Sequence, residues 1–325
     1  MKRILADIDI LLPGLLLMIF LAKIFPFQEH YNRYLPMPEI TFWGVVVIFI
    51  LYGLKLSPRE LLSDLSNWKL HLLTQSATYV IIPLLVLVLF PFFKGTTWYS
   101  FWLALFYLAA LPSTVSMSVI FVAKTHGNLG GAIFNSSISG FLGMVLTPIW
   151  MSFFIKSVDG SGEFSSMVVK LVQQIFIPIL IGMTLKYFAP RSTTWMVTKL
   201  KNFDKFIVLL IVYNSFSNAF NRDLFSIIPL SQLTLLIAGV VALYLVVFEL
   251  LGFLGRILSF KPEDMKVLLF CGTQKSLVHG SVFAVLLFQD PNMQTLALLP
   301  LMIYHAFQLF FASYKSIVWN NTALD

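Results

Sequence analysis

The chain is a succession of apolar runs cut by proline, glycine and charge. Mostly apolar residues fill segments near 10–25, 40–54, 70–90, 98–122, 129–154, 171–188, 206–220, 230–254, 265–288 and 295–313. A bilayer core about 30 Å thick is crossed by a helix of roughly 20 such residues, because lipid offers backbone amides no partners and a helix satisfies them within one segment. The pattern predicts an all-α membrane protein of ten transmembrane helices, with no room for a soluble domain. The second and seventh runs are short, and the fourth, eighth and ninth are long.

Composition agrees. The residues are 58% hydrophobic and 11% charged, with a mean hydropathy of +0.85, whereas about a quarter of an ordinary soluble domain is charged. The formal charge of +7 raises the question of nucleic acid. The basic residues stand singly between apolar runs, however, and never interleave with aromatics, so they read as membrane-orienting charges and no nucleic-acid partner is expected. Of the 22 Lys and Arg, Lys23, Arg33, Lys94, Lys156, Lys170 and Arg222 fall on one side of the ten spans and Lys275 falls within the membrane. All the others lie on the side that holds both termini. Cytoplasmic loops keep the positive excess, so both termini are expected in the cytoplasm. A bacterial inner membrane suits a compact chain without long tails, a eukaryotic endomembrane being the alternative. Met1-Lys2-Arg3 before an apolar run resembles a signal peptide, but no small-residue cleavage site follows, and the run is expected to be retained as the first span. One cysteine, Cys271, excludes an intramolecular disulfide and a cysteine-based zinc or iron–sulfur cofactor.

The two halves share features. Leu12-Pro13-Gly14 opens a span that closes at Phe25-Pro26, and Ile177-Pro178-Ile179 lies in one that closes at Ala189-Pro190. Five spans separate the pair, so equivalent helices would run in opposite directions, as in transporters built from inverted repeats; the alternative is coincidence, since a proline in an apolar helix is common. In each half the fourth span carries polar residues that lipid rejects: Pro112-Ser113-Thr114-Val115-Ser116-Met117-Ser118 in the first, Cys271-Gly272-Thr273-Gln274-Lys275-Ser276 in the second. Pro112 removes a donor and Gly272 loosens its helix, so both stretches predict breaks that must line a cavity or be buried in protein. A lone hydroxyl usually bonds back to its own helix; two clusters at matching positions favour a binding site. Thr114, Ser116, Ser118, Thr273, Gln274, Lys275 and Ser276 are its candidates, joined from the fifth span by Asn135 and Ser136. Ser139 and Gly140 continue that face at helical spacing, and Gln75, Thr78 and His305 are candidates for additional cavity lining. His305 and Gln308 form an i, i+3 pair read as a helix-to-helix hydrogen bonder, and His279 is read with the same reserve.

Lys275 is the most informative residue. An ammonium in a membrane costs at least about 2.5 kcal/mol, so it must face a cavity or a partner. Three roles stay open: binding an anionic solute, carrying a proton, or standing in for a bound cation by donating to carbonyls at the helix break. Glu249 is the one clearly intramembrane carboxylate, either a partner or a residue near the cytoplasmic end reaching toward Arg256.

Taken in order, Phe49-Ile50-Leu51-Tyr52-Gly53-Leu54-Lys55-Leu56-Ser57, Leu111-Pro112-Ser113-Thr114-Val115-Ser116, Gly127-Asn128, Leu254-Gly255-Arg256, Cys271 to Ser276 and Tyr304-His305-Ala306-Phe307-Gln308-Leu309 resemble the bile acid:sodium symporter superfamily, and within it the SBF-like branch related to the most divergent vertebrate bile-acid carriers. The resemblance spans nearly the whole chain. It implies ten helices in two inverted five-helix repeats, with a panel of about 8–60 and 167–225, and a core of about 67–156 and 229–315 in which broken helices four and nine cross. It also implies two sodium sites. By position the first takes Met117, Ser118, Ala132, Ser136 and Phe270, and the second Thr78, Cys271, Thr273 and Gln274. Ser118, Ser136 and Gln274 retain oxygen chemistry. Phe270 stands where sodium-coupled members have a shared glutamate, and Met117 and Ala132 lack hydroxyls, which argues against the usual pair of sodium ions because a hard cation wants several oxygens and a negative charge.

The function expected is a secondary active transporter of a small organic solute, an organic anion being one option, with a sodium ion or a proton as the coupling ion and no other cofactor. A non-transporting membrane regulator or receptor on the same fold, for example in ion homeostasis, is the alternative. An enzyme is not expected, for the chain has no His-Glu-x-x-His motif, no paired intramembrane aspartates and no Gly-x-Ser-x-Gly elbow. The bilayer and the solute are the partners expected, and nothing in the sequence sets an oligomeric state.

Overall fold

The computed structural model describes residues 11–28, 31, 33–55, 67–159, 172–227 and 229–322. Lys2, Arg3, Ser57, Arg59 and Lys170, and the parts of the expected panel at 8–10, 56–60 and 167–171, lie outside the described residues. Each apolar run is largely helical where it is described, and no strand occurs among the described residues. Apart from two four-residue turns, Phe90–Phe93 and Leu224–Ile227, the helices among the described residues are α1 (Leu11–Ile24), α2 (Met37–Lys55), α3 (Trp68–Leu87), α4 (Tyr99–Ala110), α5 (Ser116–Lys124), α6 (Leu129–Asp159), α7 (Val172–Phe188), α8 (Pro190–Lys199), α9 (Phe203–Asn221), α10 (Leu230–Ile257), α11 (Pro262–Thr273), α12 (Leu277–Leu287) and α13 (Pro291–Thr322). Among the described residues five helices are long and apolar enough to cross a membrane, namely α2, α3, α10 and most of α6 and α13. Shorter apolar helices are α1, α4 and α7.

The two runs that look short, near 40–54 and 206–220, belong to helices of 19 residues each. Their ends carry Glu39, Lys55, Asp204 and Asn221, which a count of apolar residues omits but a helix entering the headgroup layer accepts. The runs at 98–122 and 265–288 are each two helices, α4 with α5 and α11 with α12, parted at 111–115 and 274–276. Helix α8 falls between runs and is polar and amphipathic, with Thr193 buried and Trp195 64% exposed.

Packing divides the helices into two groups. Helices α1, α2, α7 and α9 lie against one another, and α3 to α6 pack with α10 to α13, while α9 also leans on α12 and α13. Helices α2 and α7 approach backbone to backbone, because a Cβ at Gly53 would strike the Ile179 carbonyl and one at Gly182 the Ile50 carbonyl. In lipid such close approach replaces the hydrophobic effect as the cause of helix association.

The distribution of side chains suits lipid. Leu17, Phe20, Trp43, Leu180, Val246, Phe253 and Phe310 are exposed, whereas Thr78, Ser118, Asn135, Ser136, Gln274, Lys275 and Gln308 are wholly buried. The interior is therefore more polar than the outer face, which is the arrangement expected when the surroundings are hydrocarbon. Where α3, α6 and α11 begin, Asp264 accepts from Asn67 Nδ2 (2.8 Å) and Asn128 Nδ2 (2.9 Å). Nearby, Lys266 Nζ donates to Thr125 O at 2.5 Å. Asn128 also caps α6 through Oδ1, which accepts from Gly131 N, so one polar knot holds the starts of α3, α6 and α11.

Candidate functional site

The two breaks meet, and many of the backbone groups they release have a named partner. Pro112 has no amide and Ser113 N donates to Ser139 Oγ (2.9 Å), which frees the last carbonyls of α4. Ala110 O then accepts from Thr147 Oγ1 (2.7 Å), and Pro112 O accepts from Ser276 N across the crossing (2.8 Å). Ser113 Oγ in return donates to Cys271 O at 2.7 Å, and Tyr304 OH to Thr273 O at 2.5 Å. Helix α6 comes close enough for this because residue 143 is glycine: a Cβ there would lie 2.7 Å from Pro112 Cβ.

Lys275 takes up the remaining carbonyls. It is wholly buried, and its Nζ donates to Ala109 O (2.7 Å), Leu111 O (2.7 Å) and Thr78 O (3.0 Å). Thr78 O is available because α3 contains a π-helical turn, Ala77–Ile81, in which Ile82 N donates to Ala77 O. Pro83 follows with no amide to offer. The same proline frees Tyr79 O, which Trp150 Nε1 satisfies at 2.8 Å. Gln308 holds the backbone of Lys275 from α13, accepting from its N at 2.8 Å and donating to its O at 3.0 Å. Of the three roles open to Lys275, the hydrogen bonds match donation to carbonyls at the break. Glu249 is exposed on α10, so the buried ammonium has backbone oxygens in place of a carboxylate partner.

The other candidates fall into four groups. Ser118 Oγ donates to Gln274 Oε1 at 2.9 Å, and Ser136 Oγ meets Cys271 Sγ at 3.6 Å, all buried behind the crossing. Gln274 Nε2 is buried with no hydrogen-bond partner among the described residues. Asn135 turns the other way, to His71 Nδ1 (2.8 Å) and to Gln75, whose Nε2 donates to Asn135 Oδ1 at 3.1 Å. Thr78 and Thr273 hydroxyls bond back to Thr74 O and Leu269 O of their own helices. Thr114, Ser116, Ser276 and His305 lie in front of the crossing, where they line open space.

That space has two adjoining lobes. One, of about 300 Å³, lies between α2 and the breaks and is lined by Phe49, Tyr52, Thr114, Ser116, Ser276 and His279 among others. The other, of about 500 Å³, is lined by Thr114, Ser116, Ser276 and His305 and reaches Lys124, Lys201, Asp204 and Lys205. Ser276 caps α12, its Oγ 2.9 Å from His279 Nδ1, and the His279 ring meets Tyr52 edge-on at 5.5 Å. Tyr52 and Asp204 are the residues that reasoning from sequence missed here. Tyr52 stood in a quoted motif without a role, and Asp204 lay just before an apolar run and was passed over as its flank.

A model of the SBF-like CPA transporter family matches residues 9–321. The chain belongs to that family. Among proteins similar to it is the Pseudomonas aeruginosa protein PA2026, 32% identical over 273 residues that cover 83% of this chain and 81% of the relative. Sodium/bile acid cotransporter 7 of Danio rerio is 31% identical over 305 residues, 92% of this chain and 90% of that protein. The protein is thus an integral membrane protein of a transporter family and not an enzyme.

The sodium positions implied by the resemblance can be set against the residues that occupy them. At the positions of the first site Phe270 is buried, stacked on Phe121 at 5.6 Å and edge-on to Trp319 at 5.5 Å. Ala132 is wholly buried and Met117 packs against the core. None of the three offers a side-chain oxygen, and Ser118 and Ser136 are bonded to Gln274 and Cys271. At the second, the Thr78 carbonyl already holds an ammonium. This donor set does not fit a pair of sodium ions.

Proposed function

We propose that the protein is a secondary active transporter of a small organic solute, working by alternating access around the two crossing breaks. The observation that carries this reading is the cavity in front of a crossing whose halves are stitched to each other by Ser276 N–Pro112 O, Ser113 Oγ–Cys271 O and the Lys275 ammonium. Such an element moves as one body, while the lobes lie between it and α2 and α9, which belong to the other packing group. We assign that group as the panel and the rest as the core, in two inverted five-helix repeats making ten spans. Supporting the repeat, α4 and α11 are both 12 residues long and each ends at a break. The solute meets Thr114, Ser116 and Ser276 at the starts of α5 and α12, where half-helices present amide dipoles to a cavity.

In this reading the ammonium of Lys275 is a resident cation in the place of the second sodium, and transport does not depend on paired sodium ions. The cavity mouth carries Lys55, Lys124, Lys201 and Lys205, so by the positive-inside rule the structure is open to the cytoplasm of a bacterial inner membrane, with both termini on that side.

Access is tested by Ser116→Cys in a Cys271→Ala background, labelled with a membrane-impermeant maleimide in right-side-out and inverted vesicles. Labelling from the cytoplasmic face, with a fraction that becomes reachable from the outside on addition of transported solute, is the expected result. A site reachable from one face under every condition refutes alternating access and leaves a fixed binding pocket. Thermal unfolding across sodium, potassium and pH series, in wild type and Lys275→Gln, tests the coupling. A sodium-specific rise in the wild-type midpoint refutes the resident-cation reading.

A further inference from the structure

Helix α8 (Pro190–Lys199) is too polar for the interior of a bilayer and contributes no residue to the two cavity lobes. It begins because Pro190 has no amide with which to continue α7, while its fixed φ suits the first turn of a new helix. Thr193 is buried and Met196 and Val197 are half-buried, and this face packs on α2 and α7. The opposite face carries Arg191, Trp195 and Lys199 at spacings of four residues, which place the three in one row along the helix. All three are exposed, and neither cationic side chain has a hydrogen-bond or ion-pair partner among the described residues. An indole gains nothing from exposure to open water. At a headgroup layer it is favoured, because the ring is apolar and its N–H meets polar atoms there. A tryptophan between two such cations points to a surface that is apolar and anionic at once, as an anionic membrane interface is.

Helix α7 leads lipid to the row. Its outer residues Leu180, Ile181, Leu185 and Phe188 are exposed, and Phe188 stands just before the start of α8. Acyl chains against that surface place their headgroups at α8. Arg191 and Lys199 lie about 12 Å apart along the axis with Trp195 between them, a span that suits a layer of headgroups and exceeds one small anion. A zwitterionic headgroup brings its own cation against the same two charges, so a net negative headgroup is the complement. We propose that α8 is an interfacial helix that binds anionic phospholipid, with the headgroups on Arg191, Trp195 and Lys199 and the acyl chains on α7. The site is separate from the cavity and stands whether or not the cavity transports.

Full-length protein is purified in an uncharged detergent, and dioleoyl phosphatidylglycerol or dioleoyl phosphatidylcholine is added to the micelles at rising mole fraction. A lipid bound by the folded state alone raises the thermal midpoint. Each basic residue at an anionic surface changes binding about fivefold, so the expected half-effective fraction of phosphatidylglycerol is about tenfold or more below that of phosphatidylcholine. Most of this preference is lost in Arg191→Gln/Lys199→Gln. Arg256→Gln/Lys261→Gln removes the same charge from exposed positions elsewhere and leaves the preference in place. In Trp195→Ala both lipids act at higher mole fraction and their ratio is kept. All the substituted side chains are exposed, so the lipid-free midpoints stay at the wild-type value.

Equal responses to the two lipids, a preference that survives Arg191→Gln/Lys199→Gln, or one that the control pair lowers as far, overturns the proposal and reduces these residues to charges that orient the chain. Glycerol 1-phosphate raising the wild-type midpoint as far as phosphatidylglycerol does overturns it too, for the row then binds a free anion. No rise with either lipid does the same. The transport reading is decided separately by the two-sided labelling of Ser116→Cys, so the two fail independently.

Discussion

Replacing Lys275 with alanine removes an ammonium and leaves an empty volume walled by three carbonyl oxygens that now lie 2.7 to 3.0 Å from Nζ. Each buried acceptor left without a partner costs about 1–3 kcal/mol, which gives about 3–9 kcal/mol for the three. Deleting the charge recovers its membrane insertion cost of about 2.5–3.5 kcal/mol. The net loss is therefore about 3 kcal/mol at the centre of a wide range, a fall of several degrees in the unfolding midpoint. The distinguishing outcome is rescue. Three converging carbonyls suit a hard monovalent cation, and an ion present at about 100 times its dissociation constant returns about 2.7 kcal/mol. In detergent, the midpoint of Lys275→Ala is expected to rise with sodium chloride and stay flat with choline chloride, while wild type is indifferent to the exchange. A variant that unfolds at the wild-type temperature, or one that is destabilised and blind to every monovalent cation, refutes the claim that the lysine is a resident cation.

Three other outcomes follow from the crossing. Gly143→Ala places a methyl 2.7 Å from the Pro112 ring, which cannot fold away, so a loss of about 1–3 kcal/mol is expected in thermal unfolding. Gln308→Leu deletes both bonds to the Lys275 backbone and is expected to cost about 2–6 kcal/mol, with Gln308→Glu milder at acidic pH, where a protonated carboxyl both accepts from Lys275 N and donates to Lys275 O; the same melts compare them. Asp264→Asn turns one acceptor oxygen into a donor facing either Asn67 or Asn128, and an expected loss of about 1–3 kcal/mol should accompany faster hydrogen exchange at the starts of α3 and α6.

What the bilayer dictates locally was legible in the order of residues. Run length and polarity located the helices, because a segment in lipid must satisfy its own backbone, and Pro112 with its hydroxyls and Gly272-Thr273-Gln274-Lys275 marked the two interruptions for the same reason. That Lys275 needed a partner was legible from its charge alone. Which partner it has was not, since Thr78, Ala109 and Leu111 present main-chain oxygens and a carbonyl has no signature in the residue it belongs to. Pro83 was visible as a proline, yet the π-helical turn before it and the acceptor that turn frees appear only once α3 lies against the crossing. Asp204 was read past because its apolar run begins after it; the packing of α9 beside the breaks is what brings that carboxylate and its neighbouring lysines to the cavity. Helix position is a property of about 20 consecutive residues and their solvent, whereas the site is assembled from contacts between different helices, as far apart in sequence as Thr78 and Lys275, and tertiary packing alone decides those.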